Sequence, residues 1–157
     1  MKISFITVGK TNTEWLKTGV LEYVKRINHY LNFEYIEISD VKNRNKLSIE
    51  KLKNTEFHEI SKFITKDSFL ILLDEHGKEY SSETFAAYIE KKLLNNIKHL
   101  IFVAGGAYGF DDKLYNICND KVSLSQMTFS HQMVRLFFVE QLYRAFTIIK
   151  NEKYHHK

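Results

Sequence analysis

His99-Leu-Ile-Phe-Val-Ala-Gly-Gly-Ala-Tyr-Gly-Phe110 decides the fold. His99 to Ala104 is an apolar run that reads as a strand, and it ends in glycines. Glycines at a strand end let the backbone approach a ligand closely and supply positive φ. Gly105-Gly-Ala-Tyr-Gly109 is not Gly-x-Gly-x-x-Gly. It is not a Walker loop either, because no Gly-Lys-Ser/Thr follows. By itself the stretch fits a ligand loop or a tight strand-to-helix turn, and both readings stay open.

Working outward, strands and helices alternate. Lys2 to Val8 is a β-branched apolar strand stopped by Gly9. Thr13 to Tyr30 places Leu16, Val20, Tyr23, Val24 and Ile27 at helical spacing. Phe33 to Ile38 is a second strand, and Asp40 to Lys46 a charged loop. Ser48 caps a helix from Ile49 to Ile64 with Leu52, Phe57, Ile60 and Phe63 on one stripe. Phe69 to Leu73 is unbroken apolar, which suits a strand covered on both faces. Ser81 or Ser82 opens a helix carrying Phe85, Ile89 and Leu93. Val122 to Leu124 is a short fifth strand, and a last helix spans Ser130 to Lys150. The pattern predicts an α/β fold: a mostly parallel sheet with helices on both faces. Ligands of such sheets bind beyond the carboxyl ends of the strands. With no repeat, linker or low-complexity tract, residues 1–157 read as one domain.

Composition narrows the function classes. Apolar residues make up 44% of the 157, an ordinary globular proportion. Phe69 to Leu73 is too short to span a bilayer, so no membrane association is expected. Met1 to Val8 has too short an apolar run for a secretory signal. Cys118 is the only cysteine, which rules out an intrachain disulfide. Together these point to the cytoplasm. A net charge of +4 is compatible with a nucleic-acid partner without requiring one.

The last helix is apolar nearly all round. His131, Arg135, Phe138, Leu142, Ala145, Phe146 and Ile149 share one side of its wheel. Met133, Leu136, Phe137, Glu140 and Arg144 share the other. A helix apolar on both sides is buried on both sides. One side covers the sheet, and the other is expected to meet a second subunit. His131 and Arg135 are four residues apart, so their side chains are expected on one face. A histidine there is either structural or a chemical group. Glu140 and Arg144 suit a structural i, i+4 ion pair. Tyr154-His155-His156 is either a frayed end or a functional tail. No Cys/His ligand spacing exists, so no metal is expected.

The C-terminal motifs taken together are specific. They are Leu73-Asp, Val103-Ala-Gly-Gly-Ala-Tyr-Gly109, Leu124-Ser-Gln-Met-Thr-Phe-Ser-His-Gln-Met-Val-Arg135, Glu140-Gln-Leu-Tyr-Arg-Ala-Phe146 and Tyr154-His155. With Met1-Lys-Ile, Val8-Gly-Lys10, Tyr23 and Lys25-Arg26, the whole chain resembles the ribosomal RNA large-subunit methyltransferase H family, of the SPOUT class. The resemblance implies a C-terminal trefoil knot, S-adenosylmethionine as methyl donor and a homodimer. It implies that the substrate is a pseudouridine of 23S rRNA, methylated at N3 in the assembled ribosome. It places the cofactor on Leu73, Gly105, Leu124, Ser125, Gln126, Met127, Thr128 and Phe129. Two departures stand out. Ser130 occupies a position where the family usually has Pro, and Ser can serve there as a cap. His156 precedes Lys157 where a basic residue is common directly after the histidine.

Removing the N3 proton calls for a positioned base or stabilisation of the developing oxyanion. Arg135, Tyr154 and His155 are the candidates, with His131 in reserve. Two rivals remain. A catalytically silent RNA-binding module would have no use for the Leu124–Phe129 segment. A flavodoxin-like nucleotide or flavin domain would need a phosphate-cradling loop at Val8-Gly-Lys-Thr-Asn-Thr13.

Overall fold

The computed structural model describes residues 1–156. Its elements are β1 (Lys2–Val8), α1 (Glu14–Ile27), β2 (Asn32–Ile38), α2 (Ile49–Ser61), β3 (Ser68–Glu79), α3 (Ser82–Leu94), β4 (His99–Ala104), α4 (Asp112–Ile117), β5 (Asp120–Ser123) and α5 (Met133–Ile149). A single 3-10 turn, Arg44–Lys46, interrupts the loop after β2. The strands form one sheet in the order β2-β1-β4-β3-β5, and every neighbouring pair is parallel.

Alternation along the strands builds two cores. Ile3 and Phe5 of β1 and Leu100 and Phe102 of β4 face α1, α3 and α5, where Val20, Phe85, Phe138 and Leu142 meet them. Ile6, Val8, Ile101 and Val103 face the other way, onto Ile60 of α2 and Leu114 of α4. Helices therefore cover both faces, as the strand–helix alternation predicts. Ser48 caps α2 by accepting from the Lys51 N–H, and Ser81 caps α3 by accepting from Thr84.

Beyond ends shifted by a few residues in α1, α2 and β5, three departures from the sequence reading bear on the site. β3 runs on past Leu73 to Glu79, although Asp74 to Glu79 is polar. Leu73 and Lys78 both pair with Val122, so residues 74–77 form a bulge in the ladder. Gly77 permits it, since a Cβ there would lie 2.6 Å from the Val122 backbone. α4 is a six-residue helix too short to carry a periodic signal, capped by Asp111 through the Lys113 N–H. α5 begins at Met133 rather than Ser130. Ser130 still does capping work: its hydroxyl accepts from the Met133 N–H at 3.2 Å and its carbonyl from Val134.

The expectation that one side of α5 needs a second subunit is narrowed. Leu136 packs on α1, with a methyl 3.1 Å from where a Cβ on Gly19 would stand. The Gln141 amide oxygen accepts from Ser82 of α3. Phe137 remains 39% exposed and stacks on Phe129 with centroids 4.6 Å apart.

Candidate active site

A cavity of about 820 Å³ opens beyond the carboxyl ends of β3, β4 and β5. That volume is ordinary for a small-molecule site. Three segments wall it: the bulge after Leu73, the glycine loop 105–109, and the chain from Ser123 to His131 that joins β5 to α5. Leu73, Gly105, Leu124, Ser125, Gln126, Met127, Thr128 and Phe129 all line it. The structure thus brings these eight residues, far apart in sequence, to one place.

The walls are fixed from behind. Asp74 accepts from the Tyr115 hydroxyl at 2.5 Å and from the His76 N–H at 2.9 Å, which shapes the bulge. Burial and that bond to Asp74 push the Tyr115 hydroxyl well above its ordinary pKa. The Ser123 hydroxyl donates to the Ser125 carbonyl, and the Ser125 hydroxyl accepts from the Met127 N–H. Gln126 donates to Glu79. Among the described residues, the backbone groups of Gln126, Thr128 and Phe129 enter no backbone turn bond. They are left for a ligand or water. A Cβ on Gly105 would press on the Phe110 ring at 3.1 Å, and one on Gly106 would stand 3.1 Å from the Glu56 carboxylate.

Glu56 is a functional candidate that the sequence reading missed. Only 7% exposed, it lies on α2 beneath the glycine loop, and burial pushes its carboxyl up to about 7. The signal was present: Leu52, Glu56 and Ile60 are the buried residues of α2 at i, i+4 spacing, with a charge in the middle of an apolar stripe.

The four chemical candidates separate. His131 lines the cavity. Burial, then the Arg135 and Arg44 charges, hold its pKa below the ordinary value, so the imidazole is neutral at pH 7. Arg135 does not share its setting: it is 1% exposed and turned into the protein. Its guanidinium donates to Val8 O at 2.7 Å, Gly9 O at 2.9 Å, Thr11 Oγ1 at 3.1 Å and Glu37 Oε1 at 3.4 Å. Its Nε donates to His131 O. The expected shared face for His131 and Arg135 is therefore not formed, because His131 precedes the helix and Arg135 straps α5 to the end of β1. Glu37, among these donors, is held below its ordinary pKa: bonds from Thr11 and Tyr35 and the Arg135 charge outweigh its desolvation.

Tyr154 and His155 lie on the outer flank of α5, outside the cavity lining. The Tyr154 hydroxyl bonds to Tyr23 at 3.2 Å and to Glu140 at 3.1 Å, and its ring meets Tyr143 edge-on at 4.8 Å. His155 lies 3.0 Å from Glu83 and 3.4 Å from Arg144. Glu140 and Arg144 form the expected ion pair at 2.5 Å. The tail is pinned rather than frayed, but within one chain it does not reach the cavity. Lys157 lies outside the described residues. Among the described residues, no group of three His, Cys, Asp or Glu side chains is placed to hold a metal. No helix there is long and apolar enough to cross a membrane.

An all-parallel sheet with a cavity at its strand ends, leading into the last helix, is the setting of a small-molecule site in an α/β protein. A family model described as "Predicted SPOUT methyltransferase" matches residues 1–155. The chain is 54% identical over 156 residues to the ribosomal RNA large subunit methyltransferase H of Cytophaga hutchinsonii, covering 99% of this chain and all of that one. It is 51% identical to the protein of that name from Flavobacterium psychrophilum and 48% to that of Christiangramia forsetii, each over 157 residues and the full length of both chains. The chain belongs to the SPOUT methyltransferases and, within them, to the ribosomal RNA large subunit methyltransferase H family.

Proposed function

We propose that this protein methylates N3 of a pseudouridine in 23S rRNA on the assembled ribosome. S-adenosylmethionine is the donor, and the protein acts as a homodimer in the cytoplasm. The observation that carries the reading is the convergence of Leu73, Gly105 and Leu124–Phe129 on one cavity. The residues fit the group: a Cβ on Gly105 or Gly106 would crowd Phe110 or Glu56 at 3.1 Å, and the free backbone groups of 126, 128 and 129 offer donors and acceptors for an adenosine. When bound, S-adenosylmethionine supplies an activated methyl on a sulfonium.

The chain's own task is then orientation and removal of one proton. The Leu124–Phe129 segment and the glycine loop hold the donor. His131 takes the N3 proton; its position on the cavity wall and its lowered pKa support that role. Arg135 positions His131 by bonding its carbonyl, without touching substrate. Tyr154 and His155 act in the site of the second copy, because in their own chain they face away from the cavity. Phe137, Met127 at 76% exposure and Trp15 at 62% supply apolar surface for that contact. The trefoil knot belongs to the same proposal, through the passage from β5 to α5.

The flavodoxin-like alternative loses its phosphate loop. Val8 O, Gly9 O and Thr11 are taken by Arg135. The Lys10 carbonyl and the Asn12 N–H are both bonded to the Gln132 amide. Calorimetry with S-adenosylmethionine, FMN and ATP tests the reading. Binding of the first alone is expected; binding of FMN or ATP instead would overturn it.

A further inference from the structure

The glycine loop carries a side chain that the methyl-donor reading leaves without a task. Gly106 and Gly109 form an isolated bridge, with the Gly109 N–H donating to Gly106 O at 3.2 Å. Ala107 and Tyr108 therefore sit at the tip of a closed turn. Tyr108 lines the cavity and is 53% exposed, so the core does not hold its ring. A Cβ on neighbouring Gly109 would meet nothing within 4 Å, so the tip stands clear of the protein.

The ring is not alone. Arg44, on the 3-10 turn after β2, places its guanidinium carbon 6.0 Å from the Tyr108 centroid. Asp40 steadies that guanidinium from 3.7 Å. Lys53 lines the cavity nearby. An exposed aromatic ring beside a planar cation is how proteins hold unstacked bases, which lie flat on aromatic or guanidinium planes. Stacking of this kind contributes about 1–3 kcal/mol per base.

We propose that Tyr108, at the tip of the glycine loop with Arg44 beside it, stacks on the nucleobase presented to the cavity and holds it for methyl transfer. The proposal rests on the rRNA reading of the site. It assigns the ring to the RNA and not to the methyl donor.

The test measures kcat and KM on ribosomes, with donor affinity followed by calorimetry. Tyr108→Ala is expected to lower kcat/KM for ribosomes about tenfold, a difference of ~1.4 kcal/mol. Affinity for S-adenosylmethionine should stay within about twofold. Tyr108→Phe, which keeps the ring, is expected to recover most of the loss. Unchanged kcat/KM in Tyr108→Ala would overturn the proposal. So would a Phe variant as slow as the Ala variant, which would point to the hydroxyl. A parallel fall in donor affinity would overturn it too, by giving the ring to the donor. If the unmodified protein binds no S-adenosylmethionine or leaves ribosomes unmethylated, the rRNA reading itself fails, which is a distinct result.

Discussion

At the strand ends, the glycine loop and the Leu124–Phe129 segment wall a cavity that also carries side chains, among them Lys53, Asp74, His76 and His131. On the outer flank of α5, Tyr154, His155, Glu140, Arg144 and Glu83 bond mostly to one another. The first region keeps unpaired groups facing open space. The second has used its polar atoms to pin the tail, and the bond from His155, with the backbone N–H and Ser81 bonds at the start of α3, holds the Glu83 carboxyl at about 2. Within one chain, the polar atoms of the tail are thus bonded to the flank of α5 and not turned to the cavity.

Removing the strap that ties α5 to the end of β1 should have the largest effect. Arg135→Met leaves Val8 O and Gly9 O without their donor and Glu37 without its cation. A loss of about 3–5 kcal/mol is expected, as when one partner of a buried pair is removed. Urea unfolding measures it. A variant that keeps full stability but loses turnover would return Arg135 to the chemistry.

Glu56 gives a pH-dependent effect. Its folded pKa of about 7 lies above the ordinary 4.5, so the folded chain holds that proton more tightly than the unfolded one. Its contribution is full below pH 4.5 and is lost as pH rises through 7. Glu56→Gln should flatten that decline and gain up to about 3 kcal/mol at pH 8. Melts of both proteins from pH 5 to 8 would show parallel curves if Glu56 titrates normally.

Gly105→Val tests the cavity directly. The added side chain meets the Phe110 ring. S-adenosylmethionine affinity should drop about a hundredfold, ~2.7 kcal/mol, with the circular dichroism unchanged. Unimpaired binding would move the donor out of the cavity.

The tail deletion sharpens the other half of the comparison. Removing residues 154–157 should leave donor affinity intact and slow turnover on ribosomes about tenfold, ~1.4 kcal/mol in the barrier. Wild-type turnover would make the tail purely structural and leave the chemistry to His131.

Much of the fold was legible. β1, β4 and the apolar stripe of α5 carry their periodicity on the surface of the sequence, and burial followed it at Phe138, Leu142 and Phe146. The polar half of β3 did not, because its pairing comes from β5 across a bulge and not from local preference. The strand pattern put Leu124–Phe129 at the carboxyl end of a strand, but which ligand it serves was legible only through resemblance, since its free groups are peptide groups that any residue carries. The setting of Arg135 was not legible, because the Val8 and Gly9 carbonyls that take up its guanidinium lie more than a hundred residues away in sequence. Glu56 was not legible because a stripe of apolar residues at helical spacing does not tell whether the charge between them is buried.

Methyl transfer to ribosomes tests the central claim most directly. Ribosomes lacking the modification would be incubated with the protein and methyl-labelled S-adenosylmethionine, and the 23S rRNA digested to nucleosides. The account predicts label in N3-methylpseudouridine, with protein-free rRNA a poor substrate. Label in any other nucleoside, or none in 23S rRNA, would contradict it.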